Sequence, residues 1–222
     1  MKKIIIVVII IIVSILIFFF IKFNYKSLKF GNNMSNKSVD SIKQYILDIN
    51  SYELTAEIIV ESNKNKNKYV SKEKYIKENN LFKQEILEPK NIEGISFIYD
   101  GINLKIENSK LNLSKIYENY PYLGENSITL MSFINDFTEG EETKVLEKEN
   151  EIILEVKLKN GNKYRAYKKL YIDKNTGNPT KLEIQDITQK TLIYILYNEI
   201  KINNLQKEDI LAFKLNEIIN DI

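Results

Sequence analysis

Thirty carboxylates and 32 basic side chains are available for chemistry in this chain, with no histidine and no cysteine. That composition removes most routes to catalysis. Neither a Ser-His-Asp triad, a Cys-His nucleophile, a zinc site with its usual ligands, nor a disulfide can be assembled. What remains is a carboxylate pair of the glycosidase kind or an oxygen-only calcium site. The densest acidic cluster is Glu139, Glu141 and Glu142 around Gly140. Its setting between an apolar segment and a charged one reads as the solvated charge of a loop. No catalytic residue, metal ligand or cofactor-binding residue is assigned, no cofactor is expected, and the chain reads as a non-enzyme.

Charge also narrows the partners. Arg165 is the only arginine, and setting aside Lys2, Lys3 and Lys22 leaves 29 basic against 30 acidic residues. A near-neutral domain with one arginine has no electrostatic footprint for nucleic acid, so no nucleic-acid partner is expected.

These side chains are held by two regions of different character. From Ile4 to Ile21 the chain is apolar at every position except Ser14, flanked by Lys2, Lys3 and Lys22. Eighteen helical residues span about 27 Å, close to the hydrocarbon thickness of a bilayer. The run ends in Phe18-Phe19-Phe20-Ile21-Lys22, with no small-residue cleavage pattern and no cysteine to carry a lipid. Residues 1–22 are therefore read as an uncleaved signal anchor and the membrane contact as residues 4–21. The amino group of Met1 with Lys2 and Lys3 favours a cytoplasmic N-terminus, which places the domain on the extracytoplasmic side. Residues 23–37 are mostly polar with no sustained periodicity, a linker to a domain over 38–222.

The domain opens with a helix capped by Ser38, with Val39, Ile42, Ile46 and Ile49 on one stripe. Tyr52, Leu54, Ala56, Ile58 and Val60 then alternate with mostly polar residues, the signature of a strand with one buried face. Strands over 69–77, 81–87, 95–99 and 104–107 follow, the last two joined by Asp100-Gly101-Ile102-Asn103. Alternation fails from Lys110 to Asn126, which predicts an irregular crossing segment. A short helix is expected from Asn126 or Ser127 to Asp136. Five more strands are expected over 144–148, 151–158, 163–173, 180–186 and 191–202, with Asn160-Gly161 as a two-residue hairpin turn. About ten sequential strands and two short helices imply an α+β, mostly β fold. It would be one strongly curved antiparallel sheet, a half-barrel wrapped around the helices, since a flat sheet of that width is hard to cover.

Several landmarks carry a resemblance over roughly Ser38 to Phe213. They are the strand Tyr52 to Ser62, Glu88-Pro89 with Gly94, Tyr99-Asp100-Gly101 followed by Leu104 and Asn108, and Tyr171-Ile172-Asp173 leading to Thr176-Gly177 and Pro179. In these the chain resembles the LolA/LolB-like lipoprotein-carrier fold, and in particular the clostridial spore germination lipoprotein GerS family. Pro89, Gly94, Asp100, Gly101, Gly177 and Pro179 are turn landmarks, which specify a fold better than an activity. The resemblance implies a Gram-positive, GerS-like protein of the spore envelope that supports cortex peptidoglycan modification and germination by binding a cell-wall amidase. An acylated cysteine is replaced here by the apolar N-terminal run. The alternative is a carrier or sensor for lipid or another apolar ligand, held in a cavity lined by Leu54, Ile58, Val60, Phe97, Tyr99, Leu130 and Phe133. The simpler reading of those seven residues is ordinary core packing, because aromatic and aliphatic residues on a period-two face are normally just buried. Exposed sheet edges would also let two copies exchange strands as a homodimer.

Overall fold

A computed structural model describes residues 37–62, 64–121 and 128–211. The anchor over residues 1–22 and nearly all of the linker lie outside the described residues. Among the described residues no helix is long and apolar enough to cross a membrane.

Helix α1 (Val39–Leu47) starts where the sequence signals it, with the Ser38 hydroxyl accepting from the Ser41 amide at 3.3 Å. Ile42 and Ile46 are completely buried, and Ile49 continues the stripe just past the helix. The first meander is β1 (Ser51–Glu61), β2 (Lys66–Ile76), β3 (Leu81–Glu88), β4 (Ile95–Tyr99), β5 (Leu104–Asn108) and β6 (Leu113–Tyr117). Helix α2 (Leu130–Glu139) leads to β7 (Thr143–Glu147), β8 (Glu151–Asn162), β9 (Arg165–Asp173), β10 (Pro179–Gln185) and β11 (Thr191–Ile202), and a short α3 (Glu208–Leu211) follows.

The strands form a single antiparallel sheet in the order β6-β5-β4-β3-β2-β1-β11-β10-β9-β8-β7. Each half is a meander built from neighbours in sequence. The halves join through β1 and β11, which pair Tyr52 with Ile202 and Val60 with Ile193. Asn203, just past β11, closes this seam: its Oδ1 accepts from the amides of Asn50 at 2.8 Å and Ser51 at 3.2 Å.

Eleven strands laid flat would span about 48 Å, whereas a ten-residue helix is about 15 Å long and about 10 Å thick. Nevertheless Leu104 on β5, Phe82 on β3, Leu54 on β1, Ile195 on β11, Leu170 on β9 and Leu154 on β8 share one buried cluster with α1 and α2. Only a strongly curved sheet can bring those strands onto two short helices. Register shifts between β1 and β11, β2 and β3, β8 and β9, β9 and β10, and β10 and β11 supply the extra twist. The sheet stays open, with β6 and β7 as its edges.

The structure corrects three expectations. Among the described residues there are eleven strands rather than ten, because β6 lies inside the stretch expected to be irregular. Every side chain of β6 is exposed, so burial never imposed an alternation there, and the strand exists through its backbone ladder with β5. Helix α2 begins later than expected, with Thr129 as its cap; the Thr129 hydroxyl accepts from the Ser132 amide at 3.1 Å. The β8–β9 hairpin does not turn at Asn160-Gly161. Asn162 pairs with Arg165 across Lys163-Tyr164, and the Asn162 side chain caps both the Tyr164 and Arg165 amides, at 2.9 and 3.0 Å. A side-chain Asx cap outcompetes the Asn-Gly turn because it satisfies two amides at once.

Candidate functional site

The outer margins of the sheet are its most accessible surface. On the β6 side Leu111, Leu113 and Ile116 are 64, 63 and 60% exposed and Ile102 is 60% exposed, with Tyr117 beside them. Leu113, Lys115 and Tyr117 lie opposite Asn108, Ile106 and Leu104, so they continue the inner face, while Ile116 lies opposite Lys105 on the outer face. The Lys115 ammonium sits 4.7 Å above the Tyr117 ring. Among the described residues one side of the β6 backbone has no partner strand, and apolar groups flank it on both faces. A strand edge of this kind can accept another strand. At the opposite edge β7 is also fully exposed, with Val145 and Leu146 presented to solvent.

Three of the turn landmarks, Gly94, Asp100 and Gly101, brace the β6 side. The Asp100 carboxylate caps the Ile102 and Asn103 amides at 3.0 and 2.8 Å. Gly101 has φ +96°, and a Cβ there would lie 2.2 Å from the Asn79 carbonyl oxygen. Only glycine fits that approach. Gly94 accepts the Ser109 amide at its carbonyl, 3.1 Å, which ties the β3–β4 loop to the end of β5. Pro89 follows the last residue of β3, and Gly177 and Pro179 close the β9–β10 loop, where the Asp173 carboxylate caps the Thr176 amide at 2.7 Å.

The seven residues expected to line an apolar cavity all fall in the one core cluster. Leu54, Ile58, Tyr99, Leu130 and Phe133 are buried, and Val60 and Phe97 pack against them half-buried. Phe133 stacks on Phe137 at 5.8 Å within α2. Tyr99 donates its hydroxyl to the Gly101 carbonyl at 2.9 Å, so it braces the β4–β5 turn. The structure brings these residues together as packed side chains beneath α2.

Two polar groups inside the curve were not singled out from sequence. Glu73 on β2 is buried, and its Oε1 accepts from the Gln84 amide at 3.0 Å and the Ser71 hydroxyl at 3.3 Å, while Oε2 has no partner. Burial pushes its carboxyl up from 4.5 to about 7, against the smaller opposing effect of those two hydrogen bonds. The buried hydroxyls of Tyr52 and Tyr197 are raised well above 10, first by burial and then by the charge of Glu73. Lys168 on β9 is completely buried and reaches across to α2, donating to the Ser132 hydroxyl at 2.6 Å and to the Asp136 carboxylate at 2.5 Å. Burial lowers the Lys168 ammonium and Asp136 opposes it. Through its bonds to Ser132 and Asp136, Lys168 fastens α2 to the sheet. The signal for both residues was phase: Glu73 keeps step with Ser71 and Tyr75, and Lys168 with Leu170 and Ile172, on the inner face.

The acidic cluster behaves as a solvated loop. Glu139, Glu141 and Glu142 are exposed, and Glu142 pairs with Lys157 at 2.5 Å. Among the described residues no group of three or more carboxylates could hold a metal ion.

Fold and surface together define an open antiparallel sheet curled over two helices, with unpaired, partly apolar edges. No protein-family model and no curated relative matches the chain. Solved structures to which the chain is similar include an uncharacterised conserved protein from Thermus thermophilus, 13% identical, covering 79% of this chain and 93% of that one, with a TM-score of 0.49. A chain in the complex of the CwlD amidase from Clostridioides difficile with the GerS lipoprotein is 28% identical, covering 72% and 91%, with a TM-score of 0.47. A LolA superfamily protein from Nitrosomonas europaea is 12% identical, covering 78% and 97%, with a TM-score of 0.41.

Proposed function

We propose that this protein is a non-enzymatic, membrane-anchored binding partner of an extracytoplasmic cell-wall amidase in the spore envelope, and that the β6 edge is where the partner docks. The observation that carries the reading is the exposed apolar group of Leu113 and Ile116 on β6, with Leu111 just before it, on a strand whose outer side has no partner among the described residues. An extended segment of the partner would add to the sheet beside β6, its main chain bonding to the free edge and its side chains meeting those apolar groups. The absence of histidine and cysteine supports a role without catalysis. The apolar run Ile4 to Ile21 supports a tether at the membrane, and the turn landmarks that resemble the GerS family support the choice of an amidase. Carriage of an apolar ligand would require the packed residues around Phe133 to part, and no observation favours it over partner binding.

The reading is tested with the tagged full-length chain, captured from sporulating cells and probed for the cell-wall amidase made at the same stage. The amidase should be recovered with the wild-type chain and lost with Leu113→Lys and Ile116→Glu, both on exposed positions that leave folding intact. Failure to recover an amidase, or equal recovery with both variants, refutes docking at β6. Cleavage of purified peptidoglycan by the chain alone refutes a non-enzymatic role.

A further inference from the structure

Across the sheet from β6, a cleft of ≈ 170 Å³ lies between α2 and the β8–β9 hairpin, lined by Ser132, Asp136, Glu139, Leu158, Lys159 and Arg165 among others. Arg165 is the only arginine of the chain. Its main chain is fixed by the Asn162 cap at the start of β9. Its Nε is buried without a hydrogen-bond partner, and no described carboxylate pairs with its guanidinium. Guanidinium groups are usually spent on a carboxylate or phosphate, which their forked donors match in two parallel hydrogen bonds. Here the nearby acids are already committed or balanced. Asp136 is neutralised by Lys168 at 2.5 Å and Glu139 is exposed to water, so Lys159, Arg165 and Lys168 against Asp136 and Glu139 leave one net positive charge. The positive charge of Arg165 is left over. The Ser132 hydroxyl accepts from Lys168, which leaves its own proton available to donate into the cleft.

We propose that this cleft is an oxyanion-binding site, in which Arg165 grips a carboxylate or phosphate group with help from the Ser132 hydroxyl and Lys159. Its volume falls below the roughly 300 Å³ where pockets for whole small molecules begin, so it accommodates one ionic group. Leu158 supplies an apolar wall beside that group. Gly140 also lines the cleft, where a Cβ would meet the Val156 side chain at 2.6 Å and the Asp136 carbonyl at 2.8 Å. The site is on the opposite half of the sheet from β6, so it stands or falls independently of partner docking there.

The test titrates inorganic phosphate, and separately acetate, into the full-length chain in nonionic detergent, followed by calorimetry. At least one anion should bind saturably at one site. Arg165→Ala and Arg165→Gln should each weaken binding by about tenfold or more, and Lys159→Ala by about two- to threefold, with steeper loss as salt is raised. Arg165→Lys should recover part of the affinity, because a point charge replaces the fork. Phosphate binding alone assigns a phosphate ligand, and acetate binding alone a carboxylate. Saturation by neither at about 50 mM, or binding unchanged in Arg165→Gln with its fold intact by circular dichroism, overturns the proposal.

Discussion

Glu73 makes the stability of this domain fall as pH rises through neutrality, and replacing it with glutamine should abolish that fall. Its carboxyl titrates at 4.5 when solvated and at about 7 in the fold, where burial disfavours the anion. Below pH 4.5 both states hold the proton, and the native advantage is complete. Between 4.5 and 7 the unfolded chain releases the proton while the native state keeps it, so stability declines; above 7 both are ionised and the advantage is gone. The difference of 2.5 units corresponds to about 3 kcal/mol, at about 1.4 kcal/mol per unit. The groups facing Glu73 are Ser71 and Tyr75 on its own strand, Gln84 on β3, Tyr52 on β1 and Tyr197 on β11. None of them is charged near neutral pH. Because the chain has no histidine, few other side chains titrate in this window. Glu73→Gln keeps an acceptor for Gln84 and Ser71 and stays neutral at every pH. Urea unfolding of the full-length chain, followed by tyrosine circular dichroism at about pH 5 and about pH 8, measures the effect. At the lower pH the variant and wild type should differ little, and at the higher pH the variant should be more stable by up to about 3 kcal/mol. Wild-type stability that is flat or rising over this range, or a variant with the same slope, would refute the burial argument.

The Lys168–Asp136 pair should respond unequally to its two halves. Asp136→Asn leaves a completely buried ammonium without its counter-charge and should cost about 3–5 kcal/mol in urea unfolding, whereas Lys168→Met fills the same space and leaves a half-exposed carboxylate that water can solvate, costing less. Gly101→Ala should destabilise by at least about 1–3 kcal/mol, since φ is +96° and the new methyl would meet the Asn79 carbonyl at 2.2 Å; an unchanged melting temperature would show that the turn relaxes freely. Phe133→Ala, removing a completely buried ring beneath the curve, should cost about 3–5 kcal/mol. A smaller loss accompanied by new uptake of an apolar dye would reveal a cavity able to hold a ligand.

What the sequence by itself determined is local. The caps at Ser38 and the Asp100-Gly101 turn, the alternation of Tyr52 to Val60, and the β4, β5 and β11 segments were legible because each rests on contacts within a few residues or on one face being buried. So was the exclusion of histidine- and cysteine-based chemistry. The apolar, inward-facing character of Leu54, Ile58, Leu130 and Phe133 was legible too. Tertiary structure decided the rest. β6 buries nothing, so no periodicity announced it, and only its ladder with β5 makes it a strand and an edge. The Asn162 cap moved the β8–β9 turn because a side chain can satisfy amides that a dipeptide preference cannot. The meeting of β1 with β11, Glu73 with Tyr52 and Tyr197, and Lys168 with Ser132 and Asp136 joins residues far apart in the chain, and no local signal encodes such a distance. The same curvature that brings α2 onto β9 leaves Arg165 at the cleft with its charge unspent, which its place in the sequence could only mark as singular.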